Sequence, residues 1–243
     1  MVAISHKLLS KVALLTLLSS TVLAAPIAVV EADDSPADSG EPSDDLQTRA
    51  PGDSASQPIQ ANFNIDGWED IAEENCRVML CILGGNRVFQ RVVTAHEGDV
   101  NYTGSGASVH PFYAANLSDR GTAQINPSTT SAEDFPWRSI HLPDGARRYV
   151  MPATDAQQRS QGGSINGGYL SSQVGYNEWF EINFQGNLGP HCRALHQNPP
   201  DTSVCSKNVK ETLFGTRNID LRNIVYYKVQ QGNKIGFAHE KSI

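Results

Sequence analysis

Four cysteines limit what this chain can fold into more than any other feature of its sequence. Cys76 and Cys81 sit in the run IDGWEDIAEENCRVMLCILGG, whereas Cys192 and Cys205 lie far downstream. In that run Trp68, Ile71, Ala72, Cys76, Met79, Leu80 and Leu83 recur at helical spacing, and Gly84-Gly85 stops it. Asp66 followed by Glu69 resembles a capping box for the first turn. On one helix, Cys76 and Cys81 are too distant and too divergent for a direct bridge. Each is therefore expected to reach Cys192 or Cys205, tying the helix to the second half of the chain. Which pairs with which stays open.

Paired cysteines imply an oxidising compartment, and the start of the chain agrees. A stub carrying His6, Lys7 and Lys11 leads into VALLTLLSSTVLAA, ending at the small-residue site Val22-Leu23-Ala24. This reads as a secretory signal peptide over residues 1–24, so the protein is expected to be secreted and extracellular. The run is too short, and too interrupted by serine, for a membrane anchor, which needs roughly 20 apolar residues. Residues 25–58 are acidic and rich in Ser, Pro, Asp and Gly, and cannot offset their own ordering entropy. They read as a disordered linker or pro-segment, with Arg49 as a processing point. Residues 59–243 suffice for one domain with its own core.

Within that domain, residues 86–94 look like a strand after the helix, and 95–130 read as long loops with little regular structure. ARRYVMPA (146–153) is a short strand with Tyr149 and Met151 on one face and Arg148 and Val150 on the other. EWFEINFQG (178–186) alternates with Phe180, Ile182 and Phe184 inward, and the C-terminal stretch forms a hairpin turning at Gln231-Gly232-Asn233. The expected fold is a small single α+β domain, with an N-terminal helix on a mainly antiparallel sheet, disulfides and long loops. Asn101 and Asn116 stand in glycosylation sequons. The formal net charge of −7 is uneven: the segment before residue 138 is acidic and the remainder basic, a polarity that suits an anionic polymer.

No zinc signature, HExxH, GxSxG or P-loop appears. The stretch that asks for an explanation is SAEDFPWRSI, where Glu133 and Asp134 precede the stiff step Phe135-Pro136-Trp137. Adjacent residues of a strand face opposite sides, so the two carboxylates need a bend to share one metal ion. Downstream, ARRYVMPATDAQQRSQGGSINGGY carries Arg147, Arg148 and Arg159 together with Gln158, Gln161 and Gly162-Gly163. The last part reads as a flexible glycine loop, or as amides and bare N–H groups for a phosphate. A carboxylate-bound cation beside arginines suits phosphodiester hydrolysis: the metal acidifies water and arginine spreads the developing charge.

ENCRVMLCILGG, SAEDFPWRSI and ARRYVMPATDAQQRSQGGSINGGY together resemble the secreted deoxyribonuclease NucA/NucB family, in particular its fungal members. The resemblance covers most of 70–190 and implies an exported, divalent-metal-assisted endonuclease of low sequence specificity acting on DNA, with Mg²⁺ or Mn²⁺ as the expected ion. It makes Glu133 and Asp134 the catalytic and metal-binding pair, and places Gln161 and Gly162 at the site. Arg147, Arg148 and Arg159 are expected to hold the phosphate backbone, with His141 as a general base. The chain departs from the family in its Glu-Asp order, in Ala132 where a cysteine usually stands, and in RSIHLPDG where an acidic glycine-rich segment is usual. Those departures motivate an alternative: a catalytically inactive secreted interaction protein, effector or toxin-like, on the same scaffold.

Overall fold

The computed structural model describes residues 50–206 and 209–240. The signal-peptide reading and most of the linker reading therefore fall outside the described residues. The end of that linker does not behave as expected. Residues 50–58 form an ordered turn closed by the Gly52 N–H on the Gln57 carbonyl, 2.7 Å, and Gly52 O accepts from Trp179 N at 2.8 Å. Gly52 adopts a φ of 96°, and a Cβ there would meet Ile59 at 2.8 Å, so glycine is what lets the turn dock.

Two four-stranded sheets carry the molecule. The first contains β1 (Ile59–Asn64), β6 (Trp179–Gln185), β2 (Val88–Arg91) and β4 (Ile140–His141) in that spatial order. Its β1–β6 pair is parallel and the others antiparallel. The second sheet is antiparallel throughout, in the order β10 (Lys234–His239), β9 (Tyr226–Gln231), β5 (Tyr149–Ala153) and β3 (Ser131–Phe135). A small ribbon, β7 (Glu211–Leu213) and β8 (Thr216–Ile219), stands apart. This is the expected α+β class with mainly antiparallel pairing. The alternation in β6 holds, with Phe180, Ile182 and Phe184 buried, and the C-terminal hairpin turns where expected. β1, which the sequence reading did not assign, buries Ala61 and Phe63 on one face.

The cysteine helix, α1 (Glu69–Arg77), continues into a wider π-turn over Val78–Ile82. Its apolar stripe is buried, and Gly84 and Gly85 end it in left-handed conformations. Disulfides join Cys76 to Cys192 and Cys81 to Cys205, which resolves the open pairing. The expected capping box is absent: Trp68 occupies the cap position without a side-chain bond, and Asp66 is held by Asn64 instead. A local turn at Asn64 competes for the carboxylate that the box needed.

Two expected loops are helical. α2 (Ala95–Ser105) starts at Thr94, whose hydroxyl accepts from Glu97 N, and α4 (Asp155–Ser171) starts at Thr154, which accepts from Gln157 N. Short turns of helix follow α2 at Ala107–Val109 and at α3 (Leu117–Arg120). The glycines of α4 serve packing: a Cβ on Gly168 would lie 2.4 Å from Phe63 Cδ1 and 2.9 Å from Asn62 O. Only glycine lets α4 approach β1 this closely, so a segment read as a loop is a helix seated on the sheet. Gln157 fixes α4 to α1, donating to Asp70 Oδ2 at 2.7 Å and accepting from Ile71 N.

The main core lies where α1, α4 and both sheets meet. Phe63, Trp137, Tyr169, Phe180 and Phe184 pack there edge to face, and Phe135 packs on Phe89 and Trp137. Phe135 and Trp137 thus anchor the end of β3, with a cis peptide between Phe135 and Pro136. A second cluster of Ala107, Phe112, Val150, Tyr226 and Phe237 covers the other face of the antiparallel sheet. The structure has no helix long and apolar enough to cross a membrane among the described residues.

Candidate functional site

β3 is an edge strand, and its free edge opens on a cavity of about 480 Å³. Ser131, Ala132, Glu133 and Asp134 all line it, together with Gln158, Gln161 and Gly162 from α4. Strand alternation still holds: Phe135, on the face of Glu133, enters the main core, whereas Ala132, on the face of Asp134, packs against the second cluster. Residues from both faces of β3 nevertheless line one hollow, Glu133 and Asp134 among them, and β3 is the edge strand of its sheet. No bend within β3 is needed.

Glu133 is buried and held on both oxygens. Gln161 Nε2 donates to Oε1 at 2.7 Å, Gln158 Nε2 donates to Oε2, and the two glutamines are joined to each other at 3.2 Å. Asn75 faces this carboxyl closely enough to favour its ionised form, though outside ordinary hydrogen-bond geometry. Burial, with the charge of Asp134 second, pushes the Glu133 pKa up to about 8 against these amides. Asp134 is half-buried, and its Oδ2 lies inside without a hydrogen-bond partner. Burial raises its pKa to about 6, opposed by Arg148 and the Ser105 hydroxyl. Beneath them sits Glu74, which the sequence reading missed. It is fully buried, neither oxygen has a hydrogen-bond partner, and burial and Glu133 push its pKa well up. Glu133 thus lies between two acidic neighbours, Asp134 and Glu74, and Arg148 and Arg138 act on the Asp134 end of the group.

Of the basic residues expected around the carboxylates, Arg148 lies close enough to act on the charge of Asp134, but none of the three lines the cavity. Arg148 is buried, and its guanidinium donates to the backbone carbonyls of Pro136, Trp137 at 2.7 Å and Ile140 at 2.6 Å. Burial lowers its pKa to about 10, with Asp134 opposing. It ties the Phe135-Pro136-Trp137 corner to β4 from just before the start of β5, and these carbonyls take up its donors. Arg147 lies over the Tyr227 ring at 4.3 Å and pairs with Glu240 at 3.5 Å. Arg159 is exposed on α4 and does not line the cavity. His141 pairs with Glu97 at 2.5 Å and is also outside the lining. Among the described residues, the one arginine or lysine in the wall is Arg138. Gly162 does line the cavity, but within α4, so the helix takes up the backbone N–H groups expected to meet a phosphate.

Both sequon asparagines are tied into the fold. Asn101 donates to the carbonyls of Arg138 and Ile140, and Asn116 to those of Val109 and His110.

A second polar group lies on the other side of α1. Glu73, His191 and Glu211, all buried, each bring a ligand-type atom within 4.8 Å of the others, and this set has the geometry to hold a metal ion. His191 Nδ1 is 2.7 Å from Glu211 Oε1 and 3.1 Å from Glu73 Oε1. Glu73 also accepts from the backbone of His191 and Cys192 at the start of α5 (Pro190–Leu195). Burial alone would depress the His191 pKa, but its hydrogen bonding to the Glu211 and Glu73 carboxylates, which accept, leaves it raised. No family model, curated protein or solved structure matches the chain.

Proposed function

We propose that the protein is a secreted, metal-assisted endonuclease that hydrolyses phosphodiester bonds of DNA without sequence preference, as the likeness to the NucA/NucB family implies. The observation that carries this reading is that Glu133 and Asp134, on the edge strand β3, both line one cavity. Buried carboxyls of like charge are neutralised by a proton or by a bound cation, and a cation would displace the proton that Glu133 otherwise retains. Asp134 Oδ2 is already buried without a partner, and Arg148 gives its hydrogen bonds to carbonyls. Glu133 and Asp134 would hold the divalent ion. An all-carboxylate set suits a hard ion such as Mg²⁺ or Mn²⁺. When bound, the ion acidifies water and polarises the phosphoryl oxygen. Gln158 and Gln161 fix the plane of the Glu133 carboxyl, and Arg138, exposed and lining the cavity, would meet the phosphate.

Plasmid nicking tests the proposal. Cleavage is expected to require Mg²⁺ or Mn²⁺, to stop with chelator, and to fall at least a hundred-fold in Glu133→Gln and Asp134→Asn. Cleavage that survives both substitutions refutes the assignment. One observation favours the second reading, a silent polyanion-binding protein: none of Arg147, Arg148 and Arg159 lines the cavity. On that reading the purified protein binds DNA with salt-sensitive affinity and leaves it intact.

A further inference from the structure

Part of the cavity lining is aromatic. His110 and Tyr113 both line it, their rings stacked at 4.5 Å between centroids and 18° between planes. Both are exposed, Tyr113 at 46%. Exposed rings on a loose loop would mean little, but this loop is held from several sides. Asn116 Nδ2 donates to the Val109 and His110 carbonyls, Thr122 Oγ1 donates to Pro111 O, and Gln124 Nε2 donates to Phe112 O at 2.7 Å. Phe112 between them is fully buried. His110 itself sits at φ 50°, the left-handed residue that ends the helical turn Ala107–Val109. The fold therefore orders a polar loop so as to hold two stacked rings at the mouth of an acidic hollow.

We infer that His110 and Tyr113 form a stacking platform for an unpaired nucleobase, so that the cavity takes single-stranded nucleic acid in preference to duplex. This rests on the reading of the cavity as a phosphodiester site. Charge is the reason to look beyond the backbone. Glu133, Asp134 and Asp155 line the cavity against Arg138, so attraction for phosphate is weak there and another source of affinity is needed. Base-on-ring stacking supplies it without sequence preference, because every base has a π face. In a duplex those faces are covered by neighbouring bases. A volume of about 480 Å³ is within the range of small-molecule sites and admits one nucleoside unit.

Fluorescence polarisation in chelator, which blocks cleavage, separates the possibilities. The probes are a labelled ten-residue thymidine strand, an abasic strand of equal length and charge, and a hairpin duplex. The thymidine strand is expected to bind about ten-fold more tightly than either of the others. Tyr113→Ala is expected to abolish that difference, and Tyr113→Phe to keep it. Since Tyr113 is exposed, both variants should melt with the unaltered protein, which thermal unfolding checks. Equal affinity for thymidine and abasic strands, or a preference that survives Tyr113→Ala, overturns the platform. Displacement of the strand by a neutral oligosaccharide but not by thymidine monophosphate also overturns it. Plasmid nicking with Mg²⁺, measured in parallel, reports separately whether the phosphodiester reading stands.

Discussion

Glu133, expected at a bend, lies instead within the strand β3, and its chemistry is set by what surrounds it there. Its burial and raised pKa mean that the folded protein binds its proton more tightly than the unfolded chain does. Stability from this group is therefore full at low pH and lost as pH rises from about 4.5 towards about 8. Asp134 and Glu74, both raised, act in the same direction. Metal-free protein is expected to lose several degrees of melting temperature between pH 5 and pH 8, and Glu133→Gln to flatten that slope, as calorimetry would show. A slope unchanged in Glu133→Gln would place the titration elsewhere. Arg148 makes the opposite case. Its removal leaves three buried carbonyls without their donor, so Arg148→Ala should cost roughly 3 kcal/mol or more and lower the melting temperature. A phosphate-contacting arginine would instead leave stability alone and weaken DNA binding. Glu74 and Asn75 carried a readable signal: they stand three and four residues after Ile71, polar side chains on an otherwise apolar stripe.

Among the elements, those with a clear apolar period were legible in the sequence and those without one were not. The alternation in β6 and the 3.6-residue stripe of α1 are local patterns, and both appear where expected. α2 and α4 lack such a stripe, yet each begins with a Thr-x-x-Glu or Thr-x-x-Gln box, Thr94–Glu97 and Thr154–Gln157. That signal was present and outweighed by glycine content. The glycines of α4 divide by position, which gives a paired test. Gly163→Ala meets nothing within 4 Å and should stabilise the helix by up to about 1 kcal/mol. Gly168→Ala drives a methyl into Phe63 and should destabilise by roughly 1–3 kcal/mol. Thermal melts of the two variants are expected to move in opposite directions; movement in the same direction would contradict the seating of α4 on β1.

Over the whole molecule, the disulfides close loops of 116 and 124 residues between α1 and the C-terminal third. Cross-links that span so much chain restrict the unfolded state strongly, and losing one typically costs about 2–5 kcal/mol. Non-reducing peptide mapping should recover Cys76 with Cys192 and Cys81 with Cys205, and reduction should lower the melting temperature by about 5 °C or more. The sequence by itself determined that the cysteine helix must bind the distant half, that β6 buries Phe180, Ile182 and Phe184, and that Glu133 and Asp134 lie beside a rigid aromatic corner. Each of these follows from spacing over a few residues or from the reach of a disulfide. Only the tertiary structure decided the cysteine pairing, the edge position of β3, the inward turn of Arg148 and the meeting of Glu73 with His191 and Glu211. Those depend on which distant segments lie side by side, and the energy of such a contact appears only when both partners are in place.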